Sequence, residues 1–198
     1  MPSIREHTSP PRSWLAVRGK SPETVCRELR LRASSLHGDD KLKFQIVGAH
    51  SDAGWYLIIA SGRDHRLIHE SVLKSLSVGC EVLTCTVEEQ VIFSAATCWR
   101  NGSRVWSVTY EGEDAATDVV VEGDLPFAFS GIRSQFTALA NADDVDDALV
   151  DPMFEIPVEC VRSLIDYKPY DKNARFAGRY MLLEGLDTPW WKRWTVGG

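Results

Sequence analysis

An α+β fold, with a mixed or mainly antiparallel sheet and helices packed mainly on one face, is what this 198-residue chain predicts. Three observations carry that expectation. Strand and helix signals alternate over the first eighty residues, an Asn101-Gly102 pair then joins two long strand-like segments, and helical spacing gathers late, after Pro126 and at Pro157. The length suits a single domain with a sizeable core. Composition divides it into a flexible leader (1–12), one α+β domain (13–171) and a basic, Trp-rich tail (172–198).

Ser13 to Arg18 reads as a strand, and Gly19-Lys20 turns it into a helix. Ser21 is the N-cap, Pro22 takes a first-turn position where no N–H is needed, and Val25, Cys26 and Leu29 make an apolar face. Leu31 to Asp40 is a polar connection, and Leu42 to Val47 a short strand. Gly54 to Ala60, almost continuously apolar, reads as a central strand. A second helix runs from about Leu67 to Leu76, with Ile68, Val72, Leu73 and Leu76 at helical spacing and Gly79 just past its end. Cys80 to Val87 is a further strand; Glu88-Glu89-Gln90 then either continues it or bends it.

Val91 to Arg100 and Ser103 to Glu111 flank Asn101-Gly102, the pair that suits a type I′ turn because both central residues need positive φ. Counted from a two-residue loop, Arg100 opposes Ser103, Trp99 opposes Arg104, Thr97 opposes Trp106, Ala95 opposes Val108 and Phe93 opposes Tyr110. That register gives an aromatic-faced hairpin: Val91, Phe93, Trp99, Trp106, Val108 and Tyr110 share one covered side, and Ser94, Ala96, Cys98, Ser107 and Thr109 the thinner one. Asp118 to Glu122 adds a last strand, broken at Gly123. Helices are expected over Phe127–Ala140 and from Pro157 through Ile165, with an acidic connection between them.

With 44% hydrophobic and 25% charged residues the chain has a soluble composition. Met1 to Arg12 lacks the apolar run of a secretory signal, and no apolar stretch approaches the length that spans a bilayer, so a cytoplasmic protein is expected. Five cysteines, Cys26, Cys80, Cys85, Cys98 and Cys160, form no C-x-x-C pair and read as reduced, packed thiols. No cofactor and no metal are expected.

Motifs for chemistry are incomplete. Gly19-Lys20-Ser21 sits where a phosphate loop would, but Trp14 stands where that loop needs its first glycine, and Lys20 is expected in solvent. His65 and His69 have the i, i+4 spacing of two metal ligands without an evident third. Glu89 would face Phe93 and Trp99 if the strand ran on through it, where an apolar setting would raise its pKa for acid–base work; a solvated bend at Glu88-Glu89 is the plainer reading. The run Asp143-Asp144-Val145-Asp146-Asp147 lacks the glycine and terminal glutamate of a calcium loop.

Charge is the most informative functional feature. Residues 111–171 carry fifteen Asp or Glu against Arg133, Arg162 and Lys168, a local balance of −12, whereas the other 19 basic and 13 acidic residues come to +6. Such a lobe repels nucleic acid and anionic membranes and steers cationic partners toward itself. Asp143, Asp144, Asp146, Asp147, Asp151, Glu155 and Glu159 are the candidate partner-binding residues. The words Trp14 to Lys20, Gly54-Trp55-Tyr56, and Val87 to Ser94 leading into Trp99, Asn101-Gly102 and Trp106-Ser107-Val108 are similar to a family of uncharacterised bacterial proteins, over about residues 12–170. That resemblance implies no activity or site residue. In size and acidity the chain resembles the immunity proteins encoded beside bacterial toxins, which implies an inhibitor of a basic partner, a cognate toxin, rather than an enzyme. The alternative is a small enzyme using Glu89 or the His65/His69 pair in a cleft beside the sheet.

Overall fold

β1 (Arg12–Arg18) lies at the middle of the sheet because Ser13, Trp14, Leu15, Ala16 and Val17 are all buried, leaving neither of its faces for water. The structure, a computed structural model, describes residues 12–34, 46–61, 66–112, 118–141, 151–168 and 180–186. Along the chain β1 is followed by α1 (Pro22–Glu28), β2 (Leu31–Ala33), β3 (Ile46–His50), β4 (Tyr56–Ser61), α2 (Glu70–Leu76), β5 (Glu81–Glu88), β6 (Phe93–Arg100), β7 (Ser103–Glu111), β8 (Val120–Gly123), α3 (Phe129–Ala140), α4 (Glu155–Ile165) and β9 (Met181–Gly185). The nine strands make one sheet in the order β2-β9-β3-β4-β1-β5-β6-β7-β8, and every neighbouring pair is antiparallel. The fold is α+β, as the sequence predicts.

Helices occupy both faces, not mainly one. Trp14, Ala16, Leu57, Leu83, Cys85, Ala96, Trp106 and Val108 pack with Ile156, Val158, Val161 and Ile165 of α4. Alternate residues of the same strands, Leu15, Val17, Ile58 and Val82, pack with Val25 of α1 and with Leu73 and Leu76 of α2. Central strands that are apolar at consecutive positions must be covered on both sides, so the short early helices take the second face. α4 is pinned at both ends: buried Ser94 on β6 donates to the Phe154 carbonyl at 2.7 Å, and the Trp55 indole donates to the Leu164 carbonyl at 3.0 Å.

The hairpin departs from its expected register. Trp99 opposes Arg104 as expected, but Cys98 opposes Trp106, which leaves Val105 as an extra residue in β7. One inserted residue moves everything beyond it to the other face. Trp106, Val108 and Tyr110 therefore join Ala96 and Cys98 beneath α4, while Trp99 lies in the opposite core. The single aromatic side does not exist; the two tryptophans anchor different layers.

Two further differences concern the sheet margin. Leu31–Ala33, read as loop, pairs as β2, and Met181–Gly185, assigned to a tail beginning at 172, is β9, lying between β2 and β3. The sheet thus draws on residues beyond 171, and Leu183 closes the second core. Among the described residues no helix is long and apolar enough to cross a membrane.

Candidate functional site

The acidic lobe is built from the end of β7, β8, α3 and α4. Asp124-Leu125-Pro126 ends β8, and a turn closed by Phe129 N–H to the Pro126 carbonyl at 2.9 Å starts α3. Within that turn Leu125 and Phe129 face the core beneath α4, and Phe127 between them stands in solvent at 103% relative exposure. α3 packs through Phe129, Ile132 and Phe136. Its other side is in water.

Five of the lobe's eight described acidic side chains are tied down. Asp118 accepts from the Arg133 guanidinium of α3, and Glu122 from Arg104 at 2.7 Å and from the Ser107 hydroxyl at 3.3 Å. Asp151 accepts the Met153 N–H at 2.9 Å, capping a single 3-10 turn, Pro152–Phe154, and it accepts the Tyr110 hydroxyl as well. Burial first, then that carboxylate, push the Tyr110 phenol above its ordinary range. Glu155 and Glu159, one turn apart on α4, receive the Lys168 ammonium at 2.6 and 2.9 Å, and Arg162 adds a 3.3 Å contact to Glu159. Burial alone would lower the Lys168 pKa; the two carboxylates outweigh it and raise it.

Of the seven candidate contact residues, Asp143, Asp144, Asp146 and Asp147 lie outside the described residues. Asp151, Glu155 and Glu159 are described, and each already has an intramolecular partner. Glu111, Asp124 and Asp166 take part in no ion pair among the described residues, and nothing in their sequence context separates them from the rest.

The other candidates do not converge. Glu88 ends β5 and Glu89 opens a one-turn 3-10 segment, Glu89–Val91, followed by Ile92 at φ 45, so the chain bends there and no strand runs through the pair. His69 stands immediately before α2 without a capping hydrogen bond, and His65 lies outside the described residues. Lys20, expected in solvent, is 14% exposed in its side chain and bridges Glu28 and the Leu76 carbonyl, both at 2.7 Å, so it locks α1 to α2. No group of three His, Cys, Asp or Glu among the described residues is placed to hold a metal ion. All five thiols are free; burial pushes Cys98 and Cys160 up to about 12 and Cys85 well above the usual range, which makes them inert packing groups.

Two clusters escaped the sequence reading. Glu81 on β5 receives both Arg18 and Arg100 at 2.6 Å, while Arg18 also lies 4.4 Å over the Trp55 ring. The Tyr56 hydroxyl sits 3.6 Å from the Cys26 thiol, and the Tyr56 ring 5.2 Å from that of His50. Gly48 makes the second arrangement possible, since a Cβ there would come within 2.3 Å of that hydroxyl. The β3–β4 register pairs His50 with Tyr56, Cys26 reaches them from α1, and Glu81 lies between Arg18 and Arg100 across β1, β5 and β6, so spacing along the chain carries no signal of either cluster. In comparisons with family models, curated proteins and solved structures, nothing matches this chain.

Proposed function

We propose that this chain is a cytoplasmic binding protein, an inhibitor of the immunity type, whose acidic lobe captures a basic protein partner such as a cognate toxin. One observation carries the reading. The lobe's only three basic residues are consumed by its own carboxylates: Arg133 by Asp118, Arg162 by Glu159, and Lys168 by Glu155 and Glu159. Fifteen acidic residues lie in this segment, so its three cations leave a surplus of −12 along it in a molecule whose remainder is +6. Field of that sign and concentration accelerates encounter with a cationic surface and repels nucleic acid and anionic lipid.

The test reverses Asp143, Asp144, Asp146 and Asp147 to Lys and measures association with the product of the neighbouring reading frame. Association at low salt should slow by about tenfold or more, and the deficit should shrink as the Debye length falls to about 8 Å at physiological ionic strength. Thermal midpoints should stay together, because four clustered aspartates are seldom buried. Equal association rates at every salt concentration would remove the proposal's support.

A further inference from the structure

We infer that Cys26 is an oxidation site, where a small hydroperoxide converts the thiol to a sulfenic acid held by the Tyr56 hydroxyl. Tyr56 belongs to the core that packs with α1 and α2, on the face of the sheet opposite α4. The site is therefore separate from the acidic lobe and independent of the reading above.

Two observations carry it together. Of the five thiols only Cys26, on α1, is partly open to solvent, whereas Cys80, Cys85, Cys98 and Cys160 are buried. Access alone would make it an ordinary surface thiol. The second observation is a buried donor that lacks a strong acceptor: Tyr56 is 6% exposed, and the sole hydrogen-bond partner of its hydroxyl among the described residues is the Cys26 sulfur at 3.6 Å. A phenol that deep ordinarily meets a carbonyl or carboxylate oxygen, and thiol sulfur is a weak acceptor beside either. The hydroxyl is aimed there by its neighbours. Gly48 on β3 leaves the space it crosses, since a Cβ at that position would collide with it, and His50, two residues on, lies against the ring with centroids 5.2 Å apart.

Burial first, then the sulfur it binds, push the Tyr56 phenol above its ordinary range, so it remains a donor. A fixed donor aimed at sulfur favours the states in which the sulfur carries negative charge or an oxygen, namely the attacking thiolate and the sulfenic product. The thiol gives up its proton, and the sulfur attacks one peroxide oxygen. As the S–O bond forms the O–O bond breaks, and the departing oxygen takes up a proton, so that thiol and hydroperoxide become sulfenic acid and water, or an alcohol where the peroxide is organic. Sulfur loses two electrons and the peroxide gains them. Tyr56 keeps its own proton throughout and acts by positioning and charge.

The full-length chain, treated with a slight excess of hydrogen peroxide and trapped with dimedone, should carry a single adduct, on the peptide that contains Cys26. Cys26→Ser should carry none. Tyr56→Phe keeps the ring and removes only the hydroxyl, so maleimide should still label Cys26 to completion, while oxidation by peroxide should slow by about tenfold or more. An adduct on no cysteine, or one spread over every cysteine, would overturn the site. Oxidation of Tyr56→Phe as fast as the parent would overturn it too, because Cys26 would then be only an exposed thiol. Should circular dichroism show that Tyr56→Phe has lost its fold, the adduct map of the parent decides alone.

Discussion

Tyr110, near the end of β7, donates its hydroxyl to Asp151, the carboxylate that also receives the Met153 N–H. A residue counted from sequence as partner-binding surface is thereby the clasp that fixes the approach to α4. Asp151→Ala removes a cap and strands a phenol with little access to water, so unfolding in urea should show a loss of about 1–3 kcal/mol. Tyr110→Phe should lose about 1 kcal/mol, since only the hydroxyl goes. An unchanged urea midpoint in Asp151→Ala would mean that the carboxylate is available to a partner after all.

Glu81 gives the chain an acid-sensitive joint. Burial pulls its carboxyl upward, but hydrogen bonds from Arg100 and Arg18 outweigh that and hold it below the usual carboxylate range. A carboxyl depressed in the folded state contributes stability above its unfolded pKa of about 4.3, and that contribution drains away as pH falls through the lower folded value. Glu81→Gln should therefore lower stability at neutral pH and flatten its decline below about pH 4. Parallel acid limbs for parent and variant in chemical denaturation would show that the two arginines contribute nothing there.

Gly123 tests the bulge. It sits at φ 78, and a Cβ on it would come within 2.0 Å of the Val105 carbonyl oxygen, the extra residue of β7. Gly79 has a similar φ of 71 with no atom within 4 Å. Gly79→Ala should thus show only left-handed backbone strain, about 1–2 kcal/mol, whereas Gly123→Ala must also displace β8 from β7. Hydrogen exchange at Val120 and Val121 should rise in the second variant alone; equal effects would place β8 farther from the bulge than the structure does.

The same bulge shows where sequence reasoning stops. Asn101-Gly102 reveals the turn, and Ser21-Pro22 the start of α1, because their chemistry is local. Which face Trp106 occupies depends on one residue, Val105, left out of the ladder by β8 and Gly123 arriving from elsewhere, and no alternation count contains that. β9 escapes a reading by alternation because Met181-Leu182-Leu183 is a short unbroken apolar run, although in the sheet only Leu183 and Gly185 of its five residues are buried. For the candidate site, composition located the acidic lobe. It could not separate carboxylates held by Tyr110 or Lys168 from those turned to solvent, because those partners come from other elements.

Lys168 decides between these two kinds of carboxylate. Lys168→Met leaves Glu155 and Glu159, whose side chains are 25% and 17% exposed, repelling one another without their ammonium, so a loss of about 1–3 kcal/mol is expected. Changing Glu155 and Glu159 to Gln in the same chain should restore most of it, since removing both signs of the Lys168 pairings is far less harmful than removing one, and Arg162, 42% exposed in its side chain, keeps access to water. The parent should also lose this contribution at high pH. Lys168 has a raised folded pKa, so its share is complete below the unfolded value of about 10.4 and vanishes as pH climbs through the folded one. That triple variant moves the lobe's balance only from −12 to −11, two negative charges and one positive having gone. If Glu155 and Glu159 serve the fold, partner association should stay within about twofold of the parent while reversal of Asp143, Asp144, Asp146 and Asp147 slows it strongly. A triple variant as stable as the parent but slow to associate would instead return those two glutamates to the interface.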